Sequence, residues 1–192
     1  MRELPALHPL RRAWEVCQRG DLEAAWPHYL RAVAEPPDNA DGLQRLGNLA
    51  LELEDDGTAA LALGKASLLA PESPETAMLL GVVLRRKGTL GKAAESFERA
   101  LRFRPEWPDA INNLAVTLEE LGRLDEAHEW VQRGLAIAPD DPDLRNQCGC
   151  VLCALGRHEA AIAEYERALA LDPDFEPARL NLADAQRVAR AA

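Results

Sequence analysis

Large apolar and small residues recur three or four positions apart along the chain, with polar residues between them. Ala93, Phe97 and Ala100 show the spacing within one stretch. Residues spaced in this way lie on one face of an α-helix. The pattern also returns at a constant interval, as in the column of large apolar positions at Leu46, Leu80, Leu114, Cys148 and Leu182. It predicts a series of amphipathic helices.

A set of prolines gives the length of the repeated segment. Each lies 34 residues after the one before: Pro37, Pro71, Pro105, Pro139 and Pro173. Internal repeats of this length indicate a stack of supersecondary units, each too small to bury its apolar face alone. The period divides the chain into 6–39, 40–73, 74–107, 108–141 and 142–175, with a remainder at 176–192.

Small residues and turn signals indicate two helices in each unit. The column Ala25, Ala59, Ala93, Ala127 and Ala161 marks helix crossings, where a larger side chain would overpack. Ser73-Pro74 and Asp141-Pro142 are typical helix starts, with a capping residue before a first-turn proline. Eleven helices and no strand are predicted.

Glycines in the middle of the units predict the end of each first helix. Gly88, Gly122 and Gly156 suit the left-handed cap that commonly ends a helix. The second unit has Glu54 at this position, so its turn, Glu54-Asp55-Asp56-Gly57, is predicted to be reshaped.

The columns resemble the tetratricopeptide repeat family over residues 6–192. The resemblance rests on Leu114-Ala115, Leu121-Gly122, Ala127, Leu135 and Pro139, and on the matching residues of the unit before it. It implies an all-α, right-handed α–α superhelix of five helix pairs. The remainder, 176–192, resembles the capping helix of such arrays, and the whole chain, 1–192, is predicted to be a single domain.

The resemblance also implies where a partner would bind, because the first helices of such arrays line a concave groove. Positions on these helices that avoid the packing columns carry amide and apolar side chains. Asparagine offers a donor and an acceptor, which suits the backbone of an extended peptide. An alternative is that asparagine is simply common at these family positions. The predicted binding residues are Trp14, Gln44, Asn48, Met78, Val82, Arg85, Asn112, Asn113, Val116, Asn146 and Asn181.

The charge and composition of the chain narrow the class of partner that it can bind. The net charge of −10 disfavours nucleic acid, whose binding rests on Lys and Arg neutralising phosphates. No apolar run is long enough to span a bilayer, and residues 1–12 do not resemble a signal peptide. The cysteines, Cys17, Cys148, Cys150 and Cys153, are not a secreted disulfide framework. We expect a cytoplasmic protein.

No catalytic constellation is evident, and neither a cofactor nor a metal is predicted. Cys150 and Cys153 share a helix face, so a soft-metal or redox pair is the alternative to simple packing. Further ligands are not evident nearby in the sequence. We expect a non-enzymatic scaffold or adaptor that binds a protein or peptide, and a homo-oligomer is compatible with the sequence. The rival hypothesis is the repeat domain of a larger enzyme resembling O-GlcNAc transferase, whose repeats also present asparagines.

Overall fold

The computed structural model describes residues 40–191, together with Val16, Ala24, residues 26–28, Leu30 and Arg31. Most of the predicted first unit, 6–39, lies outside these residues. The predicted binding residue Trp14 also lies outside them. The described part contains helices and turns and no strand, which confirms the predicted all-α class. None of its helices is both long and apolar enough to cross a membrane.

Nine helices follow one another over residues 40–191. The five helices that open the units begin at Ala40, Pro74, Pro108, Pro142 and Glu176, each 34 residues after the last. The helices are α1 (Ala40–Glu52), α2 (Asp56–Leu69), α3 (Pro74–Arg86), α4 (Leu90–Phe103), α5 (Pro108–Glu120), α6 (Leu124–Ile137), α7 (Pro142–Ala154), α8 (His158–Leu171) and α9 (Glu176–Ala191). We call α1, α3, α5, α7 and α9 the first helices, and the others the second helices.

Two of the predicted helix starts are capped as the sequence indicates. The Ser73 hydroxyl accepts a hydrogen bond from the Thr76 backbone N–H at 3.2 Å, and Asp141 accepts one from the Leu144 N–H at 3.0 Å. Each cap pairs a backbone donor that the first turn leaves without a helical acceptor.

The turn after α1 does not differ from the others, so its predicted reshaping is wrong. Glu54 has a φ of 58°, and Gly122 has 74° at the same place in its unit. The Asp55 N–H donates to the Ala50 carbonyl at 2.8 Å, as the Arg123 N–H donates to the Leu118 carbonyl at 2.9 Å. These backbone hydrogen bonds hold Glu54 in a left-handed conformation that glycine adopts at no steric cost.

The chain divides into two compact units, one ending at Thr89 and one beginning at Leu90, and each has its own core. In the first unit α1 packs on α2 and α2 on α3. Leu63, from α2, is fully buried in a cluster with Ala50, Ala59 and Val83. A single domain over 1–192 remains a prediction.

In the second unit the helices from α4 to α9 pack each on the next. Tyr165, from α8, lies beside Gly149 of α7 so closely that a Cβ there would come within 2.4 Å of its ring. Tyr165 shares a core with Ala115, Val131 and Cys148, and Ala185 of α9 belongs to the same cluster.

Candidate functional site

The first helices of the second unit form a continuous layer. The helix α7 contacts α5 on one side and α9 on the other, whereas the second helices of this unit, all fully described, make no comparable contact with one another. The partly exposed side chains of this layer include seven on α5, α7 and α9. We call them the first-helix face: Asn112, Val116, Glu119, Asn146, Cys150, Cys153 and Asn181.

An amide pair joins α7 to α9 on this face. The Asn181 side-chain Nδ2 donates to Asn146 Oδ1 at 2.9 Å, and it lies 3.4 Å from Cys150 Sγ. The structure therefore brings two of the predicted binding residues into direct contact. Asn146 and Asn181 hold each other in place, so their amides are preorganised rather than loose on the surface.

A different pairing joins α5 to α7 one repeat earlier. Gln147 Nε2 donates to Glu119 Oε2 at 2.6 Å, and Gln147 is itself buried. Asn112 lies on α5 at the position that Asn146 has on α7, and its Oδ1 is buried without a hydrogen-bond partner. A buried acceptor left unpaired costs about 1–3 kcal/mol.

Burial also changes the electrostatics of this part of the face. It raises the pKa of the Glu119 carboxyl, whereas the hydrogen bond from Gln147 acts in the opposite direction. The neighbouring carboxylate of Glu120 adds a smaller upward contribution to the pKa. Glu119 is therefore a partly buried carboxylate that accepts from a neutral amide.

The remaining predicted residues of the second unit have simpler surroundings. Asn113 Nδ2 donates to the Asp109 backbone carbonyl of its own helix at 2.8 Å. Val116 is partly exposed beside Asn112 on α5 and offers apolar contact.

The predicted binding residues of the first unit lie on α1 and α3. Gln44 Oε1 accepts from the buried Thr76 hydroxyl at 2.8 Å, which ties α1 to α3. Asn48 is exposed, and its Nδ2 donates to Glu52 Oε1 at 2.9 Å. Three further predicted residues on α3 are partly exposed: Met78, Val82 and Arg85.

The cysteines of α7 are free thiols, and their sulfur atoms make only weak hydrogen-bond contacts. Burial raises the pKa of Cys148 and of Cys150 to about 11. The Tyr165 hydroxyl lies 3.8 Å from Cys153 Sγ. Because the thiolate is the form that binds metals and attacks electrophiles, this setting disfavours both reactions at Cys148 and Cys150. The described residues contain no group of three or more His, Cys, Asp or Glu side chains arranged to hold a metal ion.

Gln147 is a residue of this region that the sequence reasoning did not select. It lies 34 residues after Asn113 and 34 before Asn181, so all three occupy one column of the repeat. Grouping amides by column would have drawn attention to it.

Comparison with known proteins identifies the repeat. Tetratricopeptide repeat models match residues 45–111 and 84–146, and a further model of the same repeat matches 149–186. No curated protein sequence matches the chain.

Solved structures of repeat proteins share the fold. YrrB, described as a TPR protein with an unusual peptide-binding site, is 22% identical, with a TM-score of 0.79 over 90% of this chain and 89% of its own. MamA from Desulfovibrio magneticus RS-1 is 17% identical, with a TM-score of 0.80 over 88% and 95%. The thermophilic TPR protein TTC0263 from Thermus thermophilus is 25% identical, with a TM-score of 0.68 over 93% and 97%.

Proposed function

The chain is a tetratricopeptide repeat protein, and from that premise we propose that it holds an extended segment of a partner protein on its first-helix face. The fold in general is that of a protein–protein interaction scaffold. Beyond this general role, we propose which surface binds the partner segment and which side chains contact it.

The single observation that carries this proposal is the amide arrangement on α5, α7 and α9. Asn146 and Asn181 are fixed by their mutual hydrogen bond, and Asn112 keeps a buried acceptor without a partner. An extended peptide offers a donor and an acceptor at each residue, and amides can pair with both. Val116 adds apolar contact beside them.

The first unit, taken by itself, offers partner contacts in the equivalent columns of the repeat. Asn48, Met78, Val82 and Arg85 lie on its first helices and are at least partly exposed. Gln44 lies on the same face of α1, and its side-chain oxygen accepts from Thr76, as that of Asn146 accepts from Asn181.

We propose no catalytic role for this chain. In the second unit Cys148 and Cys150 have raised pKa values, and the carboxylate of Glu119 accepts from an amide. A cytoplasmic location remains a prediction, and a homo-oligomer remains compatible with the sequence. The rival hypothesis, a repeat domain of a larger enzyme, is separated from a stand-alone scaffold by sequencing the complete reading frame.

The test begins with affinity purification of partners from the native cell extract, followed by calorimetry with the partner obtained. We expect Asn112→Ala, Asn146→Ala and Asn181→Ala together to weaken binding about ten-fold or more, because each lost hydrogen bond contributes about 0.5–1.5 kcal/mol. The matched control replaces three exposed residues of α6 and α8, Glu129, Glu159 and Glu166, with alanine. Equal affinity of both triple variants, with circular dichroism unchanged, would exclude the first-helix face as the binding surface.

A further inference from the structure

On the first-helix face, the amide side chains between α7 and α9 and those between α5 and α7 make different hydrogen bonds. Between α7 and α9, the amide of Asn181 donates to Asn146. Between α5 and α7, one repeat earlier, the equivalent amide is that of Gln147, and it donates to Glu119 instead of Asn112. The position of Glu119 is occupied by Cys153 in the next repeat, where no carboxylate competes for the amide.

The competition explains why Asn112 lacks a partner. A hydrogen bond to an ionised acceptor is roughly twice as strong as one between neutral groups, so Gln147 favours the Glu119 carboxylate. As a consequence, two buried or partly buried polar groups are left with incomplete electrostatic or hydrogen-bond pairing. Glu119 is a partly buried carboxylate with a neutral partner, and Asn112 Oδ1 is a buried oxygen with none.

This part of the face also has no cation of its own to offer Glu119. The helix α5 contains Asp109, Glu119 and Glu120, and it has no Lys, Arg or His. The cation of α7 is Arg145, whose guanidinium donates to the Pro139 carbonyl at 2.9 Å and to Glu164 of α8 at 2.8 Å. Neither α5 nor α7 therefore pairs a cation with Glu119, and the side chain of a ligand can supply one.

We propose that Glu119 is the specificity-determining residue of the face and pairs with a Lys or Arg side chain of the bound segment. This inference rests on the proposed function and adds the charge of the ligand. The incoming cation replaces Gln147 at the carboxylate. Gln147 then donates to Asn112 Oδ1, as Asn181 donates to Asn146 one repeat later. Binding therefore satisfies the carboxylate and the unpaired oxygen together.

The experiment uses three capped peptides of equal length, in which alanine alternates with lysine, glutamine or glutamate. Affinities are measured by calorimetry at low and physiological salt for the whole chain and two variants. Glu119→Gln keeps the shape of the side chain and removes its charge. Glu129→Gln is the matched control, because it removes the same charge from an exposed position on α6.

We expect the lysine peptide to bind more tightly than the other two, and Glu119→Gln to weaken it at least about ten-fold, since one partner of a partly buried charge pair is lost. Glu129→Gln should change the affinity less than two-fold or so, as surface charges usually do. A further variant, Asn112→Leu, removes the acceptor that receives Gln147, and it should weaken the lysine peptide by a few-fold while Glu119 is intact.

Three outcomes would overturn the inference. Equal losses of affinity for the lysine peptide in Glu119→Gln and Glu129→Gln would mean that the peptide is attracted by the net negative charge of the chain rather than by Glu119. Equal affinity for the three peptides, abolished by the triple asparagine variant, would leave the face as a binding surface and remove only its preference for cations. No binding of the lysine peptide, while the partner from the cell extract binds the face, would likewise reject the cation and keep the proposed function.

Discussion

Two helix pairs of the molecule make the same close approach with different side chains. In α1–α2 of the first unit, Gly47 faces Leu63, and in α7–α8 of the second unit, Gly149 faces Tyr165. A Cβ on either glycine would lie 2.4 Å from the nearest atom of the opposing side chain. In these two pairs the backbone is bare at the same position of the repeat, and the opposing side chain differs in size and shape.

The turns and outer surfaces of these two pairs differ as well. The turn of the first pair has Glu54 in a left-handed conformation, whereas the second has Gly156. On α2, Leu61 and Leu68 are 70% and 84% exposed, and their equivalents on α8 are Ala163 and Ala170. At these positions α7–α8 has the more favourable residues, and α1–α2 retains the geometry with less suitable ones.

The largest expected effect is at the close approach. Gly149→Ala should lower the free energy of unfolding by about 3 kcal/mol, because the rigid, buried ring of Tyr165 has little room to move. Gly47→Ala should cost about 1 kcal/mol, because Leu63 can change rotamer. Urea unfolding monitored by circular dichroism measures both.

The control for this pair is Gly64→Ala, in the interior of α2, where no atom apart from the local backbone of the helix lies within 4 Å of the added Cβ. It should raise the free energy of unfolding by about 0.5–1 kcal/mol, because alanine loses less backbone entropy in a helix. If Gly47→Ala and Gly149→Ala behave like this control, the close approaches do not exist.

The turns should respond in opposite directions. Glu54→Gly should raise the free energy of unfolding by about 1 kcal/mol, because it relieves a left-handed conformation in a side chain that disfavours it. Gly156→Ala should lower it by about the same amount, and its Cβ meets no atom within 4 Å, so the effect isolates the backbone. Changes of the same sign in a thermal denaturation series would contradict the equivalence of the two turns.

The smallest effect is expected on the outer surface. Leu68→Lys should change the free energy of unfolding by less than about 0.5 kcal/mol, because the side chain is mostly exposed. A loss above about 2 kcal/mol in equilibrium unfolding would show that Leu68 is buried in solution by a contact that the structure does not contain.

Much of the fold could be predicted because its signals are local. Proline at the first helical position and glycine in the turn act on neighbouring residues, so Pro74, Pro142 and Gly156 place helix ends directly. Glu54 escaped the prediction because the backbone hydrogen bonds of the surrounding turn, rather than its own preference, determine its conformation.

The candidate site was less predictable, because its pairing depends on competition between residues far apart in sequence. Periodicity placed Asn112 and Asn146 in one column, but it gave no reason for them to differ. The difference arises at Glu119, which takes the amide of Gln147, 28 positions further along the chain. Only the three-dimensional contact shows which acceptor receives the amide.

Site-specific photo-cross-linking in the native cell tests directly whether the first-helix face holds the partner. A benzophenone side chain replaces Val116 on the first-helix face in one variant and exposed Glu129 on α6 in the other. We expect the partner identified by affinity purification to cross-link from position 116 and not from position 129. Cross-linking from position 129 with none from position 116 would contradict the claim that the first-helix face holds the partner.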